Sequence, residues 1–568
     1  MQRVNALRVL LVALLVGFAC CWTLAIVSYA WLETAPLPWD EAYLTMLPTR
    51  VAQAWSSGGF LEAIVTYYET SIHKPPLSSL GTAIAMIATG HGPLELRLDN
   101  MVVALLAALG VQRFLARHAG EVLAAVFAAC LLATPFALAY TRTELAEIYV
   151  VACTVALYAF AVPRHAMRTR SSSIVLGLLV GLGISAKLSF GLIAFPVLLW
   201  TAVVELATFR ARQTTWRSLL GRASFTLVAA VLVVAVFCHR SWKHMWRHLR
   251  NQSTWIGDQY GGSAERFDSA YFENYMRSWL AAFSWLWIAV LVGVVLLAIL
   301  DRSMRASRVH NEAPFVSPTA SGRERSPCTQ LAMLAFAFVA NLAACYVWPV
   351  TDIRFTVGAM VAAILLLGIS TAQAVRRDGL RVALGLMMLM GFGSWLLANT
   401  YASSPQRTLL TLPWRSGDPG PLHAPVVDAD LRDTALDALQ ATSSRVALAG
   451  DHPSFNVDNL RLRILERGLE HGLEHGLEHE VEQVGYLAPK IGLTEALARL
   501  EDRRPVDAFF VCRAPQDSEP ALWTSRLGGP FFEELSRSED WGEAEHLGGL
   551  RDGSEVFLFR RKQRERVK

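Results

Sequence analysis

Hydrophobic residues in this chain come in long blocks separated by short polar stretches, not at the alternating spacing of half-buried strands. A helix that crosses a bilayer needs roughly 20 apolar residues, with about 17 as the practical minimum. Windows of that kind centre on Leu7 to Tyr29, Met101 to Leu115, Val122 to Leu138, Ile148 to Val162, Ile174 to Ser185, Gly191 to Val204, Leu219 to Phe237, Trp279 to Leu300, Leu331 to Val347, Phe355 to Thr371 and Val382 to Ala398. The pattern predicts about eleven spanning helices. Ser28 and Ala30 resemble a signal-peptide cleavage site, but the first apolar run exceeds the roughly 7 to 15 residues of a signal peptide, so it reads as a retained anchor. The segment opening with "HKPPLSSL", His73 to Leu80, stays apolar only to Thr89. It is too short to cross and predicts a helix lying at the interface, with its two prolines suited to a helix start.

Composition fits this reading. Of 568 residues, 53% are hydrophobic and 18% charged, with 17 Trp, and the mean hydropathy is +0.34. These values describe a polytopic membrane protein. The net charge of +4 is spread among short loops, which sets nucleic acid aside as a partner. Cys20, Cys21, Cys130, Cys153, Cys238 and Cys345 fall in or beside apolar stretches, while Cys328 and Cys512 stand alone, so neither a disulfide framework nor a zinc spacing is visible.

Lys and Arg close to span ends stay cytoplasmic, and this fixes an expected orientation. Arg3 and Arg8, Arg113 and Arg117, Arg164 with Arg168 and Arg170, Arg210 with Arg212 and Arg217, the linker from Arg302 to Arg325, and Arg376 with Arg377 all fall on one side. The opposite, outer side receives everything after Tyr401. It also receives the run "PLPWDEAYLTMLPTR", Pro36 to Arg50, with its acidic pair Asp40 and Glu41. One loop disobeys: "HRSWKHMWRHLR", His239 to Arg250, is strongly basic yet falls outside. Its Arg240, Lys243, Arg247 and Arg250 recur at steps of three and four beside Trp242 and Trp246, which suits an interface helix meeting lipid phosphates.

Other outer boundaries are also charged. "TRTELAEIYV" brings Arg142, Glu144 and Glu147 to the start of one span, "GLGISAKLSFG" sets Lys187 between two short spans, and "WPVTDIRF" adds Asp352 and Arg354. The acidic pair, the Lys-Pro-Pro-Leu box, "LELRLDN" at the start of the next span, Arg142 followed five residues later by Glu147, "GLLVGLGISAKLSFG" and the late "DIRF" occur in an order that resembles the GT-C membrane glycosyltransferases. Among these the chain looks most like the dolichyl-phosphate-mannose protein mannosyltransferase and aminoarabinose transferase superfamily. The resemblance runs from Leu7 to Ala398. Where this chain has Glu147 the family usually has Asp, and the family's Lys-Gly step reads Lys187, Leu188 here.

The resemblance implies a polytopic α-helical GT-C domain over residues 1–400, with a first outer loop at 32–100. It implies transfer of a sugar from a polyprenyl-phosphate donor to a hydroxyl of a lipid, glycan or protein acceptor, outside the cytoplasmic face of a bacterial inner or plasma membrane. In such chemistry a carboxylate takes the acceptor proton and cations neutralise the charge growing on the phosphate. Asp40 is then the candidate base. Glu41 and Glu147 orient the acceptor or hold a divalent cation, the one cofactor implied. Lys74, Lys187, Arg354, Arg240 and Lys243 are candidates for the donor phosphate, which arginine meets with a planar fork and lysine as a point charge. Plainer readings stand beside these: a solvated acidic loop, a lysine snorkelling from a span end, an Arg354 paired with Asp352, and a basic helix that only anchors at the surface.

Beyond Tyr401 the composition turns charged, and "RVALAG", "DAFFVC" and "EVFLFRR" read as strands, with a helical pattern at Leu493 to Leu500. Residues 401–568 are expected to form a small extracytoplasmic α/β domain. Within it "GLEHGLEHGLEHE" puts His471, His475 and His479 four apart, the spacing of a helical metal site, although glycine at every fourth position weakens a helix. From another functional class, a transporter of a lipid or small solute also fits a polytopic chain. It would bury charges at the bilayer midplane and show repeated halves, whereas here the charges gather at one boundary.

Overall fold

The computed structural model describes residues 2–32, 37, 39–70, 74–90, 94–251, 269–306, 326–347, 356–400, 430–439, 445–470, 480–483, 495, 498, 505–515 and 525–562, apart from positions 144, 164–165, 212–213 and 285. They belong to two compact units, one of Met1–Ser28, Tyr68–Gly81 and Arg97–Leu412, the other of Tyr29–Tyr67, Thr82–Leu96 and Pro413–Lys568. In chain order the first helices are α1 (Gln2–Leu32), α2 (Trp39–Glu69), α3 (Leu77–Thr89), α4 (Glu95–Ala119), α5 (Glu121–Leu132), α6 (Pro135–Thr141), α7 (Glu147–Ala161) and α8 (Arg170–Ala186). Then follow α9 (Phe190–Arg210), α10 (Trp216–Cys238), α11 (Trp242–Asn251), α12 (Ser269–Phe283), α13 (Leu286–Ala306), α14 (Pro327–Val347), α15 (Val357–Ala374) and α16 (Asp378–Thr400).

Every apolar window is met by a helix. Among the described residues seven helices are long and apolar enough to cross a membrane, or eight with the bent pair α5–α6 taken as one span. The shorter apolar helices α7, α8 and α13 meet the remaining expected windows. Two windows that read as single spans are broken. Pro135 has no N–H to continue the ladder of α5, and the chain bends by 64° there. The break is capped, because Thr134 Oγ1 donates to the Leu131 carbonyl at 2.8 Å and accepts from Ala137 N–H at 3.1 Å. Between α12 and α13, Ser284 takes a positive φ of 89°. Trp279, Phe283 and Trp287 nevertheless stack across that break, with centroids 5.1 and 5.4 Å apart.

Close packing of α8 on α10 follows from its sequence. A Cβ at Gly177 would lie 2.2 Å from the Thr226 carbonyl, and one at Gly181 would lie 2.8 Å from that of Ala230. Small residues four apart let two backbones approach inside a bilayer, where no hydrophobic effect drives helices together. Thr226 Oγ1 adds a 3.0 Å bond to the Ser173 carbonyl.

In the second unit, α17 (Leu431–Ala438), β1 (Arg445–Ala449), α18 (Val457–Glu470), β2 (Glu480–Gln483), β3 (Ala508–Arg513), α19 (Gly528–Arg537), β4 (Glu545–Gly549) and β5 (Glu555–Arg560) build a mixed five-stranded sheet. Its order is β2-β1-β3-β5-β4, with β1 parallel to β2 and β3, and β5 antiparallel to β3 and β4. The central strands β1 and β3 are apolar apart from a terminal arginine because both faces are covered. Val446, Leu448 and Phe510 pack with α18 residues such as Leu460 on one face. Ala447, Phe509 and Val511 pack with Phe531 and Trp541 on the other. The turn before β5 is tied to the loop after β1 by His452 Nε2, 3.4 Å from Asp552 Oδ2. Partial burial pushes the Asp552 carboxyl up, but hydrogen bonds from His452 and the Ser554 backbone outweigh it and bring the pKa down to about 2. The three expected strands are β1, β3 and β5. The histidine repeat and most of the expected helix at Leu493 to Leu500 lie outside the described residues.

Gly177→Leu is expected to lower the thermal unfolding midpoint of the purified protein by the equivalent of roughly 1–3 kcal/mol of overpacking. A midpoint equal to wild type would show that α8 and α10 do not approach this closely.

Candidate active site

The acidic pair opens a helix. Because α2 begins at Trp39, Asp40 and Glu41 sit in its first turn, where unsatisfied N–H groups make a favourable place for carboxylates. Glu41 is buried. The following turns are reinforced from within, with Thr45 donating to the Glu41 carbonyl at 2.9 Å and Thr49 to that of Thr45 at 2.8 Å. The side chain of Asp40 lies outside the described residues, as do Glu144, Asp352 and Arg354.

Two expected site residues do come together. Glu147 is the first residue of α7 and Lys187 closes α8. Lys187 Nζ donates to Glu147 Oε1 at 2.5 Å, with the carboxylate side chain 3% exposed and the lysine 21%. A carboxylate so buried costs several kcal/mol unless a cation answers it. Lys187, expected at the donor phosphate, is therefore also the counter-ion of Glu147. Lys74 is half-buried in the turn before α3, ahead of the buried Pro75 and Pro76. Arg240 and Lys243 are exposed, one just before α11 and the other in its first turn.

A second set of contacts holds the chain that leads into Glu147. From the first turns of α4, Arg97 Nε donates to the Arg142 carbonyl at 2.6 Å, and Asn100 Nδ2 donates to the Thr143 carbonyl. These two residues are three apart and so share a helix face. Arg142 is fully buried and donates from Nη2 to the Ala25 carbonyl of α1 at 3.0 Å. Asp99 Oδ2 accepts from Tyr149 Oη at 2.9 Å, two residues beyond Glu147. A Cβ at Gly81 would fall 1.8 Å from that hydroxyl, so a larger residue there would have to displace Tyr149. The sequence reading takes "LELRLDN" as the start of a span and misses the roles of Arg97, Asp99, Asn100 and Tyr149. The signal was there in four polar residues at the head of an apolar helix, but not the partners. Among the described residues no three metal-ligating side chains come together.

No family model matches the chain, and no curated protein does. Among solved structures, ArnT from Cupriavidus metallidurans in the apo state aligns over 96% of this chain and 97% of its own, with 12% identity and a TM-score of 0.53. The same protein bound to undecaprenyl phosphate aligns over the same shares, with 14% identity and a TM-score of 0.54. The chain has the GT-C fold. The alignment covers nearly the whole of both chains. Its apolar helices make the protein an integral, multi-pass membrane protein.

Within this GT-C fold the Glu147–Lys187 pair is expected to act as a unit. Lys187→Met should lower stability by up to roughly 3–5 kcal/mol, since it takes a cation from the buried Glu147 carboxylate, and Glu147→Gln by less, since the lysine is part-exposed and can be solvated. The double variant should recover part of that loss in a thermal or denaturant series. Strictly additive losses would show that the two side chains do not depend on each other.

Proposed function

We propose that this chain transfers a sugar from a polyprenyl-phosphate-linked donor to an acceptor hydroxyl on the outer side of a membrane. The observation that carries this reading is the GT-C fold, shared over nearly the full length with an ArnT structure that holds undecaprenyl phosphate. That ligand is the carrier that such a donor leaves behind when its sugar departs.

In this reading the acceptor oxygen attacks the anomeric carbon as the bond to the phosphate oxygen breaks. The phosphate leaves with the bonding electrons, and the acceptor proton passes to the Asp40 carboxylate. Glu41, beside it in the same helical turn, orients the acceptor hydroxyl. Lys74 and Arg354 are assigned to the charge that grows on the leaving phosphate, where fixed cations cost no reorganisation during the reaction. Glu147 keeps Lys187 in place, and the Arg97 and Asn100 contacts hold the loop from which Glu147 starts.

A transporter finds support in the broken helices α5–α6 and α12–α13, since transporters build sites at discontinuous helices. At the first break Thr134 caps the turn and α6 is wholly buried, and at the second the buried Ser284 accepts from the Leu286 N–H.

Asp40→Asn tests the chemistry with little change in packing, because the amide cannot accept the proton. With purified protein and a synthetic polyprenyl-phosphate sugar, turnover should fall roughly 10² to 10⁴-fold while carrier binding stays near wild type. If the acidic pair holds a divalent cation, chelation and Glu41→Gln will act on one step and their effects will not add. Near-normal transfer by Asp40→Asn would remove Asp40 from the mechanism.

A further inference from the structure

α10 is a lipid-facing helix. Only 11% of its most apolar stretch is buried within the protein, and Leu227 and Leu232 are 65% and 60% exposed. Only three residues separate the end of α10 at Cys238 from the start of α11 at Trp242, so α11 continues directly from this exposed helix. Ser241 and Met245, four apart, are the buried residues at its start. The opposite faces carry Lys243, His244, Arg247 and Arg250, all exposed, together with Trp242 and Trp246, whose rings stack at 6.3 Å with 23° between their planes. At the base of the helix, His239 packs on Tyr68 of α2 with centroids 5.7 Å apart.

Exposed indoles beside a spanning helix belong at the depth of lipid headgroups, where the ring is apolar and its N–H is wet. Cations at the same level meet headgroup phosphates, each worth a several-fold gain in affinity for an acidic surface. The basic loop also runs against the positive-inside bias of the other loops, so it works against the expected orientation unless an anion outside answers it. A catalytic phosphate subsite would instead gather its cations inward. Lys243 and Arg247 point away from the buried side of their helix.

We propose that α11 is a docking surface for acidic phospholipid headgroups, with Lys243 and Arg247 on the phosphates and the Trp242–Trp246 stack at the interface. This stands apart from the transfer reaction and needs no turnover to be tested.

The test is lipid retention by purified full-length protein in mixed micelles, titrated separately with phosphatidylglycerol, phosphatidylcholine or undecaprenyl phosphate and read by native mass spectrometry. Wild type should retain phosphatidylglycerol in preference to phosphatidylcholine. Lys243→Gln with Arg247→Gln should weaken phosphatidylglycerol retention roughly five-fold per lost cation, about 25-fold together, and leave phosphatidylcholine unchanged. Trp242→Ala with Trp246→Ala should weaken both lipids alike. Equal retention of the two lipids by wild type, or undiminished phosphatidylglycerol on the doubly neutralised variant, would overturn the proposal. So would loss of undecaprenyl phosphate alone from that variant, which would move α11 into the donor site.

Discussion

A carboxylate nearly removed from water, at the first residue of one membrane helix, is answered by an ammonium that closes the next helix. The Glu147–Lys187 pair sets the ends of α7 and α8 against each other. Other features of this region serve the same placement. Arg97 and Asn100 fix the backbone just ahead of Glu147, Asp99 holds Tyr149 one half-turn after it, and Gly81 leaves room for that tyrosine. On the far side of Lys187, α8 can lie close to α10 because Gly177 and Gly181 have no side chains. A buried ion pair is weak evidence of stability, since apolar residues of the same size often do as well. Its retention in an apolar bundle points instead to a need for charge at that position.

That need fits the fold. The charges in this chain concentrate where spans begin and end rather than at their centres. Transfer from a lipid phosphate requires such a boundary, because the carrier lies in the membrane while the leaving group and acceptor hydroxyl are polar. The exposed α11 cations Lys243 and Arg247 are, on the proposal above, assigned to acidic lipid headgroups instead.

The apolar helices were legible in the sequence because runs of apolar residues leave the backbone few other ways to satisfy its hydrogen bonds in a bilayer, whereas α2, in what reads as a first outer loop, has no such run and was not. The breaks at Thr134–Pro135 and Ser284 were not, since an apolar run reads the same through a bend, and the Ser284 break turns on one backbone angle. In the sheet, β1, β3 and β5 stood out as apolar runs, whereas β2 reads "EVEQ" and β4 "EHLGG". These are the two edge strands, with less to bury and no apolar signature. At the site, residue types and order pointed to Glu147 and Lys187 separately. Their union was hidden because 40 positions of chain separate them, and the clamp of Arg97 and Asn100 was hidden because its acceptors are backbone carbonyls, which every residue carries.

The central claim is that a sugar leaves a polyprenyl phosphate because this protein is present. It is tested most directly by mass analysis of the membrane lipids, glycans and envelope proteins of cells with and without the chain. The account predicts that cells lacking it will miss one sugar from one acceptor class and accumulate the matching polyprenyl-phosphate sugar. Identical sugar inventories and identical pools of lipid-linked donor in the two cells would contradict it.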